Sequence, residues 1–383
     1  MRDDAAAAHD CRAGASPATS SERQPCRPGA CTTMRILVEI THPAQVHFFK
    51  NAIAIWRRHG HRVLVASREK ECLTQLLDEL GIDHVCLSRR SRGLAGLGWE
   101  LLRRDVKMLQ LSWRFKPDVF VGRFALSASH AGFLTRRPCV VFEDTEHARL
   151  QQRLSLPFAS MICSTTSYMK DWGPRQQRYD SIDHLAYTHP RYFHSDAEAL
   201  RQAGLAPGES YSVLRLVSWE AAHDRGVQGL SPKDVGELVA CLRRSGRVMI
   251  SCEGPLPAEL EAYRITVSAS MMLSLLAGAR IYVGEGGSMA SEAACLGVPA
   301  VYVNRLQVGY LRCLQDEYGL VRCVQTADQA IQAIEQMLAC GAQHYQDKRN
   351  RLLAEKIDVT QYVVDLVEKI GKEGKIAFWP RRR

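Results

Sequence analysis

The sequence predicts an α/β protein in two halves, each a parallel sheet covered by helices, with a cleft between them. Three observations carry this reading. Short β-branched apolar runs alternate with amphipathic segments along nearly the whole chain, the order that βαβ units produce. The runs are apolar at consecutive positions, as in strands covered on both faces. The series also breaks once, between Tyr168 and Gly208, and then restarts. With 383 residues, the chain exceeds the roughly 250–300 at which one hydrophobic core stops growing.

Residues 1–33 stand apart. They are rich in Ala, Ser, Pro and Arg without an apolar period, and read as a disordered extension. Their arginines are balanced by Asp3, Asp4, Asp10 and Glu22, unlike a transit peptide, and Met34 is the expected natural start. The first half, 34–205, opens with the strand RILVEI. A helix follows over Gln45–His59, with Val46, Phe49, Ile53 and Trp56 on one face and Gly60 as its stop. HRVLVAS is a strand, Lys70–Leu80 a helix, and IDHVCLS, PDVFVG, PCVVFED and SMICS are further strands. The stretch with several Pro, Tyr and His from Tyr168 to Gly208 is expected to join the halves.

The second half, 206–357, begins with the strand YSVLRLVS. The next helix has Ser231 as cap and Pro232 at its first position. RVMISC, RIYVGE and PAVYVN are strands, and SMMLSLLAGA and SMASEAACLG are helices. An amphipathic helix over 358–370 is placed to cross back onto the first half, and a basic tail, 371–383, ends the chain. Together these form two Rossmann-like domains, whose ligands sit beyond the carboxyl ends of the strands.

Composition is that of a water-soluble globular chain, 46% hydrophobic and 24% charged. No run of about 18 apolar residues exists for a membrane span, and no secretory apolar region precedes Met34. The expected location is cytoplasmic, or peripheral at the inner face of the plasma membrane. The 13 cysteines show no CxxC and no metal-ligand spacing, so free thiols in a reducing compartment are expected, with no metal and no cofactor. The net charge of +9 is concentrated in 89–107 and 369–383; the remainder is balanced, which argues against a nucleic-acid partner. In 89–107, Arg89, Arg90, Arg92, Arg103, Arg104 and Lys107 alternate with Leu94, Leu97, Trp99, Leu101 and Leu102. That mixture suits contact with an anionic membrane, or simply a solvated helix face.

Candidate sites cluster at strand ends. In GEGGSMASE, Gly286 and Gly287 let backbone approach a ligand. Ser288 is the expected helix cap, the helix N-terminus favours a diphosphate, and Glu292 lies one turn on, placed to accept ribose hydroxyls. In ITHPAQVHFFK, Thr41, His42 and Gln45 occupy the first βα turn, and His47 lies in the first helical turn. A histidine here suits a general base or a phosphate contact. Arg215 and Ser218 close the strand VLRLVS and suit a diphosphate, with His223 and Asp224 in the loop beyond. Glu143 and Asp144, with Glu146 and His147, follow the strand VVF and suit sugar or acceptor contacts, or a polar loop.

The segments MRILVEITHPAQVHFFKN, VLRLVSWEAAHD, VGEGGSMASEAACLGVPAVYVN and GYLRCLQDEYGL, in this order, resemble the bacterial and archaeal family named domain of unknown function 354. That family is similar to the GT-B class, which includes the lipid-II-forming N-acetylglucosaminyltransferase and UDP-N-acetylglucosamine 2-epimerase. The resemblance implies diphosphate binding by Gly286, Gly287 and Ser288, ribose binding by Glu292, and an acceptor-facing turn at Thr41, His42 and Gln45. The sequence departs from the epimerases where their Gly-Asp-Thr is Gly122-Arg123-Phe124 here. The expected function is sugar transfer from a nucleotide sugar, a UDP-sugar first, to a glycan or lipid-linked acceptor in surface polysaccharide or glycolipid assembly. His47 or His42 is the expected base. A sugar-nucleotide epimerase or hydrolase, and a non-enzymatic scaffold of the same fold, are the alternatives.

Overall fold

The computed structural model describes residues 33–70, 72–91, 93–216, 229–252 and 254–374. The first sheet contains β1 (Arg35–Ile40), β2 (Arg62–Glu69), β3 (His84–Arg89), β4 (Val119–Arg123), β5 (Cys139–Phe142), β6 (Met161–Thr165) and β7 (Gln176–Tyr179). Its order is β3-β2-β1-β4-β5-β6-β7, and every pair is parallel. The connecting helices are α1 (Pro43–Arg58), α2 (Leu73–Glu79), α3 (Leu94–Phe115), α4 (Leu126–Thr135) and α5 (Arg149–Ser155), followed by the short α6 (Leu185–Thr188) and α7 (Glu198–Gln202).

The second sheet contains β8 (Tyr211–Leu216), β9 (Arg247–Cys252), β10 (Tyr282–Gly284), β11 (Ala300–Val303) and β12 (Val321–Val324). Its order is β12-β11-β10-β8-β9, again parallel. Its helices are α8 (Pro232–Arg243), α9 (Met272–Ala277), α10 (Gly287–Cys295), α11 (Gly309–Asp316), α12 (Ala327–Ala339), α13 (Ala342–Glu355) and α14 (Val359–Glu373). The architecture is the expected pair of Rossmann-like sheets. Strand order reverses between β1 and β4 in the first sheet and between β8 and β10 in the second. Helices leave opposite faces of the sheet at such a point, which opens a crevice at the strand ends.

Three local expectations are corrected. The stretch from Tyr168 contains β7, the edge strand of the first sheet, so the first sheet reaches further than its apolar runs. QQRY is polar and half exposed, as an edge strand paired on one side can be. β12 hid for the same reason, since Arg322 and Cys323 are exposed. The cap of α10 is Gly286 rather than Ser288, and no side chain caps it. Gly284 must approach β8 so closely that an added Cβ would lie 2.4 Å from the Arg215 carbonyl, and the helix starts before Ser288 can turn back.

α1 buries Val46, Phe48, Phe49, Ile53 and Trp56 between the sheet and α14. α14 returns to the first half: a Cβ on Gly371 would lie 2.8 Å from Met34 Sδ. Thr360 Oγ1 donates to the Ala186 carbonyl (2.6 Å), and Glu368 meets His59 Nδ1 (2.6 Å). His61, fully enclosed, faces the same carboxylate (3.4 Å). Its Nδ1 accepts from the Met34 amide (3.4 Å), which puts the proton on Nε2; that nitrogen makes no hydrogen bond among the described residues, so the clasp on α14 is the His59–Glu368 pair. Among the described residues, no helix is long and apolar enough to cross a membrane.

Candidate functional site

Both strand-order reversals open on the same cleft. At the first, the Thr41 amide donates to Gln45 Oε1 (2.7 Å), and Gln45 Nε2 donates to the Arg123 carbonyl (3.3 Å). Gln45 thereby ties the end of β1 to the end of β4. His42 caps α1, its Nδ1 accepting from the Ala44 amide (3.3 Å). A neutral His42 therefore carries its proton on Nε2 and offers a donor rather than a base. After β4 the chain turns through two successive left-handed residues, Phe124 (φ 57°) and Ala125 (φ 33°), a conformation non-glycine residues adopt at a cost of roughly 1–3 kcal/mol. Buried Glu39 supports the turn by accepting from the Ala128 amide (2.8 Å).

The cleft floor carries charge. Arg123, buried, pairs with Asp144 and with Asp183 (2.8 Å), and its guanidinium lies 4.7 Å from the Phe48 ring centre. Asp183 also accepts from the Tyr179 hydroxyl (2.5 Å). Burial pushes Asp183 up to about 6, against the pull of Arg123; at Asp144 burial acts the same way, but Arg123, His184 and Thr145 together overcome it and keep the carboxyl low. Beside them stands His184, its Nδ1 2.9 Å from Ser291 Oγ. Burial lowers His184 to about 3, so its ring is neutral at ordinary pH.

The second reversal is built from small residues. Gly286 and Gly287 open α10, and an added Cβ would lie 3.3 Å from Arg215 Cγ at the first and 3.2 Å from the Tyr310 hydroxyl at the second. Ser288 is exposed at the helix end. Arg215, at the end of β8, donates to Ser251 Oγ (2.6 Å). Glu292 accepts from the Tyr187 hydroxyl (2.7 Å) and is nearly buried. Burial lifts its carboxyl to about 7, opposed by Tyr187, Arg215 and Lys50. A ribose would have to displace Tyr187 to reach it.

A cavity of about 310 Å³ joins the two reversals. Thr41, His42, Gln45, Arg68, Lys70, Arg123, Asp144 and His184 line it from one side, and Ser288 from the other. The structure thus brings together Thr41, His42, Gln45, Asp144 and Ser288 of the sequence-derived candidates. His47 is not in the lining. Its ring stacks on Tyr187 (5.3 Å between centres), its Nδ1 is enclosed without a partner, and burial, with Lys50 adding, lowers it to about 3. Glu143 is fully buried, accepting from the Thr145 amide (3.1 Å) and Gln152 (3.3 Å), and is not in the cavity wall. Ser218, His223 and Asp224 lie outside the described residues. Sequence reading missed the Arg123–Asp183–His184 cluster. The change of Gly-Asp-Thr to Gly-Arg-Phe at 122–124 was the one available signal.

The two halves also clasp each other beside the cavity. Glu146 Oε1 accepts from the Gly309 amide at the start of α11 (3.2 Å), and His147 Nε2 meets the Gln307 carbonyl (2.8 Å).

The family model described as Protein of unknown function (DUF354) matches residues 34–371. The chain belongs to this family. It is 23% identical over 275 residues to Uncharacterized protein MJ0665 of Methanocaldococcus jannaschii, covering 70% of this chain and 80% of that one. Its fold is shared with solved structures at low identity. UDP-GlcNAc 2-epimerase from Neisseria meningitidis, bound to UDP-GlcNAc, superposes with a TM-score of 0.63 at 14% identity, covering 88% of this chain and 100% of that one. Spinosyn Rhamnosyltransferase SpnG, complexed with thymidine diphosphate, gives 0.59 at 16% identity, covering 87% and 100%. The family member described here thus has the GT-B architecture.

Proposed function

We propose that this protein binds a nucleoside diphosphate sugar in the cleft and transfers its sugar to an acceptor hydroxyl. The observation that carries the reading is the uncapped N-terminus of α10, opening at a strand-order reversal beside Arg215. Backbone N–H groups, the helix dipole and a guanidinium converge where a diphosphate would sit. In transfer, the acceptor oxygen attacks the anomeric carbon, the bond from that carbon to the diphosphate oxygen breaks, and the leaving diphosphate takes up the electron pair. The same groups that bind it stabilise that developing charge. The acceptor proton would pass to His184 in the cavity wall, with the Asp144 charge stabilising the resulting cation against the burial that disfavours it; His42 would donate to the substrate from Nε2. A UDP-sugar, and an acceptor belonging to surface polysaccharide or glycolipid assembly, are the substrates this reading favours.

A thermal-shift screen against UDP-, dTDP-, GDP- and CMP-sugars tests it, because a bound ligand stabilises the fold by mass action. One nucleotide should raise the melting temperature, and Arg215→Ala should shrink the shift at the same ligand concentration. No shift with any of them sinks the proposal. The likeness to an epimerase supports a second reading on the same site. Conversion of the nucleotide sugar in the absence of acceptor would favour it over transfer. Arg123 stands against it, placing a cation where the epimerase pattern has a carboxylate.

A further inference from the structure

α3 buries charge beside core residues such as Met108 and exposes apolar side chains. Its inner face buries Glu100 and Arg104, while the side chains facing solvent include Trp99 (63% exposed), Leu102 (54%), Val106 (49%) and Trp113 (62%). These four recur at helical spacing along one stripe. The buried charges are satisfied. Glu100 accepts from Arg68 (2.7 and 2.5 Å), from Ser88 Oγ (2.8 Å) and from the Ser91 amide (3.1 Å), and Arg104 donates to Ser127 Oγ (2.9 Å). These buried charges anchor the inner face, and the side chains of the apolar stripe are left open to solvent among the described residues. α4 packs beside α3, and α5 beside α4; they add exposed Leu134 (64%) and Leu150 (65%).

The surroundings of the stripe are basic. Arg103, Lys107 and Arg114 flank it on α3, and Arg149 and Arg153 lie on α5, all exposed. At the end of the stripe, Arg89, Arg90, Arg103 and Lys107 surround a cavity of about 330 Å³ walled by Trp99 and Glu100. Arg89 is paired with Glu69 (2.8 Å), and Lys107 Nζ donates to the Leu87 carbonyl (2.9 Å). Exposed tryptophans seat at the apolar–polar boundary of a bilayer, and lysine and arginine beside them add attraction to anionic headgroups.

We infer that the α3 face seats this protein on an anionic lipid bilayer, with Trp99 and Trp113 inserted and a lipid phosphate held in the basic cavity. The cavity backs onto the cleft: Glu100 is in its wall, and Arg68, bonded to Glu100, is in the cleft wall. Seating by this face brings the first-half side of the cleft to the membrane, where a lipid-linked acceptor would be found. That last clause rests on the proposed transfer; the membrane contact does not.

Full-length protein, mixed with vesicles of phosphatidylcholine alone or with phosphatidylglycerol added, tests the inference by co-sedimentation. It should pellet with the anionic vesicles, release as salt is raised, and remain bound when inorganic phosphate is added at constant ionic strength. Arg103→Glu with Lys107→Glu should lower the partition at least about tenfold. Trp99→Phe with Trp113→Phe should keep binding but lose most of the fluorescence quenching by brominated lipid, which guards against variants that merely misfold. Failure to pellet with anionic vesicles overturns the inference, as does release by phosphate. So does a concentration-dependent dimer in light scattering that the tryptophan variants dissociate, since the occupant would then be a second copy. None of these readouts involves a nucleotide, so their failure and that of the transfer reading are separable.

Discussion

At the β1/β4 reversal the strand ends meet over buried charge; at the β8/β10 reversal they meet over glycines and a bare helix end. The first holds Arg123 between two aspartates, Glu39 under α4 and a strained turn at Phe124–Ala125. The second has Gly284 and Gly286 closing on Arg215, Gly287 on Tyr310, and Ser288 open to the cleft. Ions that neutralise each other position groups but bind little. Unpaired N–H groups bind but position little. On the proposed reading the contrast is a division of labour: the second half would grip the anion, and the first half would hold the groups that act on what the anion carries.

Removing the cation of the first reversal should have the largest effect. Arg123→Ala leaves Asp144 and buried Asp183 uncompensated, and should cost about 3–5 kcal/mol in urea unfolding; a loss below about 1 kcal/mol would break the comparison. The matching change in the second half, Arg215→Ala, should leave unfolding nearly unchanged. It should instead weaken binding of the nucleoside diphosphate by about 10–100-fold in calorimetry, the worth of a charge-assisted hydrogen bond.

A pH series sharpens the same contrast. Burial, with the Asp144 charge adding, pushes Glu143 up to about 8, from the ordinary value of about 4.3. The folded state therefore holds this proton more tightly. Its contribution is fully present below about pH 4 and is lost as pH rises to about 8. Between those limits, wild type should lose stability relative to Glu143→Gln, by at most about 1.4 kcal/mol per pH unit. Parallel curves for the two proteins would mean that Glu143 ionises normally. Smallest is Tyr187→Phe, which deletes the hydroxyl on Glu292 at about 1 kcal/mol and removes one of the influences that lower the Glu292 carboxyl. Titration of that carboxyl, followed by NMR, should move upward; an unmoved curve would place Tyr187 elsewhere in solution.

Strands buried on both faces were legible because their apolar runs are continuous. RILVEI and PAVYVN needed no neighbour to be recognised. The edge strands QQRY and VRCV were not, because one side of each needs no partner. In the site, Gly286 and Gly287 announced themselves as residues chosen for close approach. His184 and Asp183 did not: they sit in a stretch without period, and only folding brings them to Arg123 from 60 residues away. His47 misled for the opposite reason. Its neighbour Val46 is on the packing stripe, and one position along a helix turns a side chain by about 100°, which proved enough to carry it against Tyr187 and out of the cleft wall.

By itself the sequence determined the architecture, two parallel sheets, and the places where their strands end. Those follow from local apolar pattern and from glycine, which act over a few residues. The tertiary structure decided which charges neutralise each other, which histidines remain uncharged, and which face of α3 looks outward. Those depend on desolvation and on partners distant in the chain, and neither is written in any one segment.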